Sequence, residues 1–384
     1  MSYLARVTLP HLLAGAAGLG LIFIIVWDAF ETVLLPRRIG RRVRLTRYFY
    51  IILWRVWRAL AAGVRRPARR EAFLGFFGPL SLILLLFCWA LGLITAFALL
   101  ELACSGVAGL GGRPFVTLFY MSGETFFTLG FGDVTPTTIV GRLLSVVEAG
   151  LGFGFLGTVV GYLPTIYQAF SQREIEISLM DARAGSPPTA AEFLHRTRAA
   201  GREDLCDEIL AAWERWSAQL LETHISYPLL AYYRSQHSNQ SWLGALTVIL
   251  DSTSLVLART EQPGPSQARL TFAMARHALV DVTQIFVRRP PEGGRDRLSA
   301  EVAHALRARL GDAFIGAPAE GFATRLAKLR LMYEPYAQAL AGFLMLELPP
   351  WAHAEPRHDN WQGAPWDRIL SARRAAAAPE EDHF

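Results

Sequence analysis

Residues 128–133, Thr-Leu-Gly-Phe-Gly-Asp, offer little side-chain chemistry and much backbone chemistry. Gly130 and Gly132 flank one Phe, Thr128 precedes them and Asp133 closes the run. Glycine admits torsions that other residues resist, so a short stretch can turn its carbonyl oxygens to a common side. Oxygens held that way replace the water around a cation. Competing chemistry is scarce in this sequence. No nucleophile elbow, P-loop or metalloprotease motif occurs, and His353, His358 and Asp359 lack metal-ligand spacing. Residues 152–157 spell G-x-G-x-x-G, but a dinucleotide site needs a strand before that motif and a helix starting within it. Here the motif lies inside an apolar run. The sequence reads as a non-enzyme with no cofactor.

The elements that would position residues 128–133 are long and apolar. A bilayer core takes about 20 apolar residues of helix, and three segments qualify: residues 11–35, 72–103 and 139–170. Between the last two, a Gly-rich turn leads to Pro114, suited to the first turn of a helix. A short helix over FVTLFYMSGETFF follows, and then the glycine stretch. Non-helical backbone at membrane depth is tolerated only where protein or water covers it, so this loop fits a pore. A fourth segment, 47–61, is shorter and carries Arg55 and Arg58. It reads as an amphipathic helix lying in the headgroups.

Composition agrees with a membrane half followed by a soluble half. Of the 384 residues 52% are hydrophobic and 18% charged, and the apolar excess falls before residue 170. Between Pro36 and Glu71 stand twelve arginines and no acid. Such a block beside apolar segments points to a membrane surface rather than to nucleic acid, with anionic lipid as the contact of Arg37, Arg38, Arg41, Arg42, Arg44 and Arg47. Lys and Arg collect in cytoplasmic loops. That places the N-terminus outside, the 104–138 loop outside and everything after residue 171 in the cytoplasm. Asp28, Glu31 and Glu148 lie in or at the edge of spans, where acids are functional candidates. For Asp28 and Glu31 a nearby arginine is the expected partner. For Glu148 a cavity position and a hydrogen bond to the short helix both stay open. After residue 171 helical patterns run at 190–200, 204–224, 228–259, 266–287, 299–315 and 319–347, with Thr189 and Glu192 as a capping box. Cys88, Cys104 and Cys206 are too few for a disulfide framework.

TLGFGD, preceded by a short helix and flanked by two spans, resembles the selectivity filter of potassium channels, most of all the bacterial two-transmembrane type. The resemblance covers residues 72–170 and includes Ser122, Glu124, Thr125, Pro136, Gly141 and Arg142. It implies an all-α membrane protein with three transmembrane helices, a re-entrant pore helix and filter, and a helical cytoplasmic domain. The implied organisation is an N-terminal region (1–71), a pore domain (72–170), a cytoplasmic domain (171–349) and a loosely ordered tail (350–384). The permeant ion would be K⁺, held by the carbonyls of Thr128, Leu129, Gly130 and Phe131 and the Thr128 hydroxyl, with Gly132 turning the strand outward. Glu124 and Asp133 would brace the filter. Gly152 stands where the family often has its hinge glycine, and Pro164 adds a second bending point. Against the hinge at Gly152 stands close packing of small residues. One filter strand per chain implies a homotetramer in the lipid bilayer of the cell membrane. Phe131 replaces the tyrosine common in the family and has no hydroxyl for the pore helix. A weakly selective cation channel and a non-conducting sensor or scaffold therefore remain as alternatives.

Overall fold

The computed structural model describes residues 9–35, 44–104, 107–108, 114–201, 204–236, 239–259, 266–289, 294–311, 321–353, 355, 359, 362 and 366. Arg37, Arg38, Arg41 and Arg42 lie outside the described residues, as does most of the tail after residue 353. The chain divides into two compact units, Met1–Gln168 and Ala169–Phe384, and its described residues are overwhelmingly helical.

The first unit opens with α1 (Leu9–Ala29), which closes in a π-turn over Phe30–Leu34. α2 (Leu45–Ala62), α3 (Pro67–Gly75) and α4 (Phe77–Cys104) follow. α1 lies along α4 at small residues that let two apolar helices approach closely. A side chain at Gly18 would meet Ala96 O at 2.7 Å, and one at Gly92 would meet Ile25 Cδ1 at 2.5 Å. Among the described residues an arginine pairs with one of the two acids at the end of α1; Arg37 and Arg38, two of the expected partners, lie outside them. Buried Asp28 accepts hydrogen bonds from the Thr46 amide (3.1 Å), the Thr46 hydroxyl and Trp89 Nε1 (3.1 Å). Neutral donors from α2 and α4 thus satisfy its carboxylate. Glu31 does take an arginine, Arg44 at 3.4 Å, and accepts from Trp27 Nε1 at 2.8 Å. α2 is amphipathic, with Trp54 buried against Phe77, Trp57 stacked on Phe73, and Ile52, Val56 and Leu60 exposed.

α5 (Pro114–Phe126) and α6 (Ile139–Ala184) complete the described helices up to residue 184. A two-residue antiparallel ladder, Val107–Ala108 against Thr135–Pro136, ties the turn before α5 to the segment after it. By length and composition the segments Leu9–Val33, Pro67–Cys104 and Ile139–Ala184 can each cross a membrane.

The second unit contains α7 (Ala190–Ala199), α8 (Leu205–Ser226), α9 (Trp242–Arg259), α10 (Ser266–Phe286), α11 (Ala300–Leu310), α12 (Phe322–Leu331) and α13 (Glu334–Leu344). α9 is also long and apolar enough to span, but 89% of that window is buried within the chain. A helix apolar on all sides needs cover all round, and here α7, α8, α10, α12 and α13 supply it. Two helices expected from the sequence are broken. In 228–259, a 3₁₀ turn over Pro228–Tyr232 is followed by non-helical polar residues, and α9 starts afresh where Ser241 Oγ caps the Gly244 amide at 2.9 Å. In 319–347 the break falls at Tyr333, because Pro335, in the first turn of the next helix, has no amide to extend the previous one. Thr189 caps α7 as expected, accepting from the Glu192 amide at 3.2 Å, but the Glu192 carboxylate turns to Arg196 and Arg309 instead of back to residue 189. Of the aromatic stretch 227–242, Arg234 bonds Leu344 O and Trp242 bonds Ala231 O; His237 lies outside the described residues.

Asp251, at the middle of α9 and fully buried, pairs with Arg297 at 2.6 Å and accepts the Tyr333 hydroxyl at 2.6 Å. Arg297 also reaches Glu334 at 3.3 Å and Pro349 O at 2.7 Å, and it shares the face of buried Trp351 with Arg330. Removing one partner of a buried pair strands the other charge and costs about 3–5 kcal/mol. Asp251→Ala is therefore expected to lower the unfolding transition of the second unit in full-length protein by that order, read by calorimetry in detergent.

His224 is buried on α8. Burial pushes its pKa down to about 3 and the Arg173 guanidinium adds to that, against the opposing hydrogen bond to Leu220 O. The folded form stays neutral while the unfolded chain takes up a proton below its ordinary value of 6.5. Stability contributed by the neutral ring is thus complete above about pH 6.5 and is lost as pH falls toward 3, by about 1 kcal/mol per unit. His224→Gln should flatten that slope in a pH series of melting temperatures.

Candidate functional site

α5 is seated before the chain leaves it. Leu118 and Met121 are buried with Ala98 and Val134, and Phe126 joins the cluster of Ile25, Leu85 and Trp89. Beyond Phe126 the helix tightens and ends, with the Thr128 amide bonding Thr125 O at 3.0 Å and the Leu129 amide bonding Glu124 O at 2.7 Å. The backbone then alternates. Thr128, Gly130 and Gly132 have φ of 57°, 64° and 77°, while Leu129 and Phe131 between them are not in that region. A strand sends successive carbonyls to opposite sides; alternating the sign of φ lets them turn to the same side. The two glycines take this conformation freely, whereas Thr128 takes it at a cost. Thr128 to Asp133 are exposed on the single chain, with Leu129 at 57% and Phe131 at 66%. Val134, buried again, pins the far end.

The acids around this stretch are arranged differently from each other. Asp133 is exposed and accepts the Tyr120 hydroxyl at 3.3 Å. Glu124 is buried, and its Oε2 has no hydrogen-bond partner. Among the described residues no hydrogen bond joins Glu124 to Asp133. Glu148 resolves to one of its two readings: it is fully buried and hydrogen-bonded to Ser122 of α5, and Ser122 also bonds Ile94 O of α4 at 2.8 Å. Glu101, near the end of α4, is equally buried. Sequence reasoning did not single it out, although one acid in an otherwise apolar span was a visible signal.

α6 starts at a cap, Thr138 Oγ1 accepting the Gly141 amide at 3.0 Å. Gly141, Glu148 and Gly152 fall on one stripe of this helix. A Cβ at Gly141 would lie 2.9 Å from Pro136 Cβ and 3.0 Å from Glu101 Oε2. At Gly152 it would lie 2.0 Å from Phe126 O and 2.9 Å from Phe126 C. The last residue of α5 thus rests on the backbone of α6 at Gly152. Gly150, Gly154, Gly157 and Gly161 have open space where a side chain would go. Pro164 lies inside the helix, and the Thr165 hydroxyl bonds Gly161 O beside it at 3.1 Å. The opposite stripe of α6 exposes Ile139, Leu143, Val146, Phe153 and Val160.

The site is a short helix ending in an exposed backbone of alternating handedness, held between two membrane-length helices. Residues 81–169 match the family model described as an ion channel. The matched stretch runs from α4 through α5 and the glycine turn into α6, so the ion-channel likeness belongs to this site. The chain is also similar to an uncharacterized membrane protein of Bacillus subtilis (strain 168), YdjJ, at 24% identity over 152 residues. That alignment covers 39% of this chain and 44% of YdjJ, less than half of either. No solved structure matches the chain. The membrane-length helices and the family match together support a membrane location.

Proposed function

We propose that the protein is a potassium-selective channel whose pore is closed by four copies of the chain, each contributing residues 128–132. The observation that carries this reading is the alternation of φ at Thr128, Gly130 and Gly132 immediately after a helix C-terminus. The carbonyls of Thr128, Leu129, Gly130 and Phe131 and the Thr128 hydroxyl supply the ion sites, and Gly132 carries the strand to the mouth. The C-terminal end of α5 adds partial negative charge favourable to a cation. Glu124 and Asp133 support the filter from behind and from its outer end, and Gly152 and Pro164 are candidate points of movement. The exposed apolar stripe of α6 fits packing in such an assembly. The arginine block sets the orientation, with the second unit in the cytoplasm and the basic segment against anionic lipid.

K⁺ and Na⁺ flux through purified full-length protein in liposomes tests this directly. K⁺ flux well above Na⁺ flux is expected. Equal fluxes would favour the second reading, a weakly selective cation pore, for which the specific observation is Phe131: it is two-thirds exposed and has no hydroxyl to brace the filter. Absence of flux in both ions, from the full chain and after deletion of the second unit, would favour a scaffold.

A further inference from the structure

Ser122 has one hydroxyl hydrogen and two neighbours that can accept it. Its Oγ lies 2.8 Å from Ile94 O, which can only accept, and within hydrogen-bond reach of Glu148 Oε1. A hydroxyl donates once and accepts at its lone pairs. With its hydrogen given to Ile94 O, an ionised Glu148 would face it lone pair to lone pair. Both contacts are satisfied together only when Glu148 carries a proton and donates it to Ser122 Oγ.

The surroundings favour that arrangement. Glu148 is fully buried and its Oε2 has no partner. The titratable group facing it from α4 is Glu101, also buried, with Oε1 unpartnered. α5 brings Glu124, two residues from Ser122, buried with Oε2 unpartnered. Among the described residues no ion pair links any of the three to a base. Two buried acids that face each other without a cation, Glu148 and Glu101, cannot both ionise cheaply.

We infer that Glu148 is a proton-operated lock: protonated, it ties α6 through Ser122 to Ile94 of α4 and clamps α5 between them. When the proton leaves to solvent, Ser122 turns its hydrogen to the carboxylate and Ile94 O loses its side-chain donor, so the polar tie between α5 and α4 is lost while the apolar contacts of Leu118, Met121 and Phe126 remain. The step from that loss to conduction rests on the channel reading above. On that reading K⁺ flux falls as Glu148 ionises, by about fivefold for one lost buried hydrogen bond.

Infrared difference spectra and K⁺ flux, taken on the same liposomes over a pH series, test this. The wild type should show a protonated-carboxyl C=O band at neutral pH that is absent in Glu148→Gln. Ser122→Ala should shift its frequency, because the band's hydrogen-bond acceptor is gone. K⁺ flux should fall in step with the alkaline loss of that band, and Glu148→Gln, whose amide still donates to Ser122, should remove the pH dependence. A spectrum unchanged by Glu148→Gln, or a band that Ser122→Ala leaves unshifted, overturns the lock whatever the flux does. Flux that ignores the titration of the band overturns the coupling. A band with both expected behaviours, in protein that conducts at no pH, upholds the hydrogen-bond lock and sinks the channel reading instead.

Discussion

Gly130→Ala is expected to abolish K⁺ flux while leaving the protein folded. Gly130 has φ of 64° and nothing within 4 Å of where a Cβ would stand. Space is therefore not the obstacle. The obstacle is the left-handed conformation, which costs an L-residue about 1–2 kcal/mol. In a ring of four copies this sums to at least ~4 kcal/mol, on the order of a thousandfold in the population of the conducting backbone. Alanine would relieve the strain by turning its peptide, and the carbonyl would leave the common side. Gly154→Ala is the control, since it too meets open space but sits at an ordinary helical position. Flux lost in the first variant and kept in the second would locate the effect in backbone handedness. Equal flux in both would remove the basis of the filter reading.

Gly152→Ala should fail earlier, at folding or assembly. A methyl group there would stand 2.0 Å from Phe126 O. Both partners are backbone, so no rotamer change relieves the contact, and α5 must lift away from α6. Overpacking a well-packed core typically costs about 1–3 kcal/mol, and a backbone clash should lie at about 3 kcal/mol or more. The expected readout is a loss of the monodisperse oligomer on size exclusion, with Gly157→Ala unaffected because its surroundings are open. A well-assembled Gly152→Ala protein with altered gating would instead favour the hinge over the close contact.

Much of the architecture was legible because the bilayer imposes long, uniform signals. Apolar runs located the membrane-length helices, Pro114 marked the start of α5, and Thr189 marked the cap of α7. The glycine spacing also signalled its own torsions, since few residues other than Gly accept positive φ; Thr128 was the conformation that residue type alone did not give away. What stayed hidden were pairings between distant elements. Asp28 looked like an arginine partner from its neighbours in sequence; among the described residues a hydroxyl from α2 and an indole from α4 reach it. Glu148 had two open readings until α5 placed Ser122 beside it. Along the run Gly150, Gly152, Gly154, Gly157 and Gly161, the approach of Phe126 is what sets Gly152 apart from the other four. Within the second unit, periodicity ran through the breaks at 233–241 and 333, because local polar and proline effects interrupt a helix without disturbing its apolar spacing.

The buried carboxylate of Asp251 has a consequence during synthesis as well as in the finished bundle. The insertion machinery meets α9 as an emerging segment, before α10 and the later helices exist to cover it. Judged by length and apolarity, that segment qualifies for the bilayer as three others do. An aspartate at the centre of a nascent helix raises its insertion free energy by about 2.5–3.5 kcal/mol. Asp251 sits at that centre. The residue that later anchors Arg297 thus first biases the emerging segment against lateral release into lipid, and so keeps the segments that follow on the side where the bundle must close.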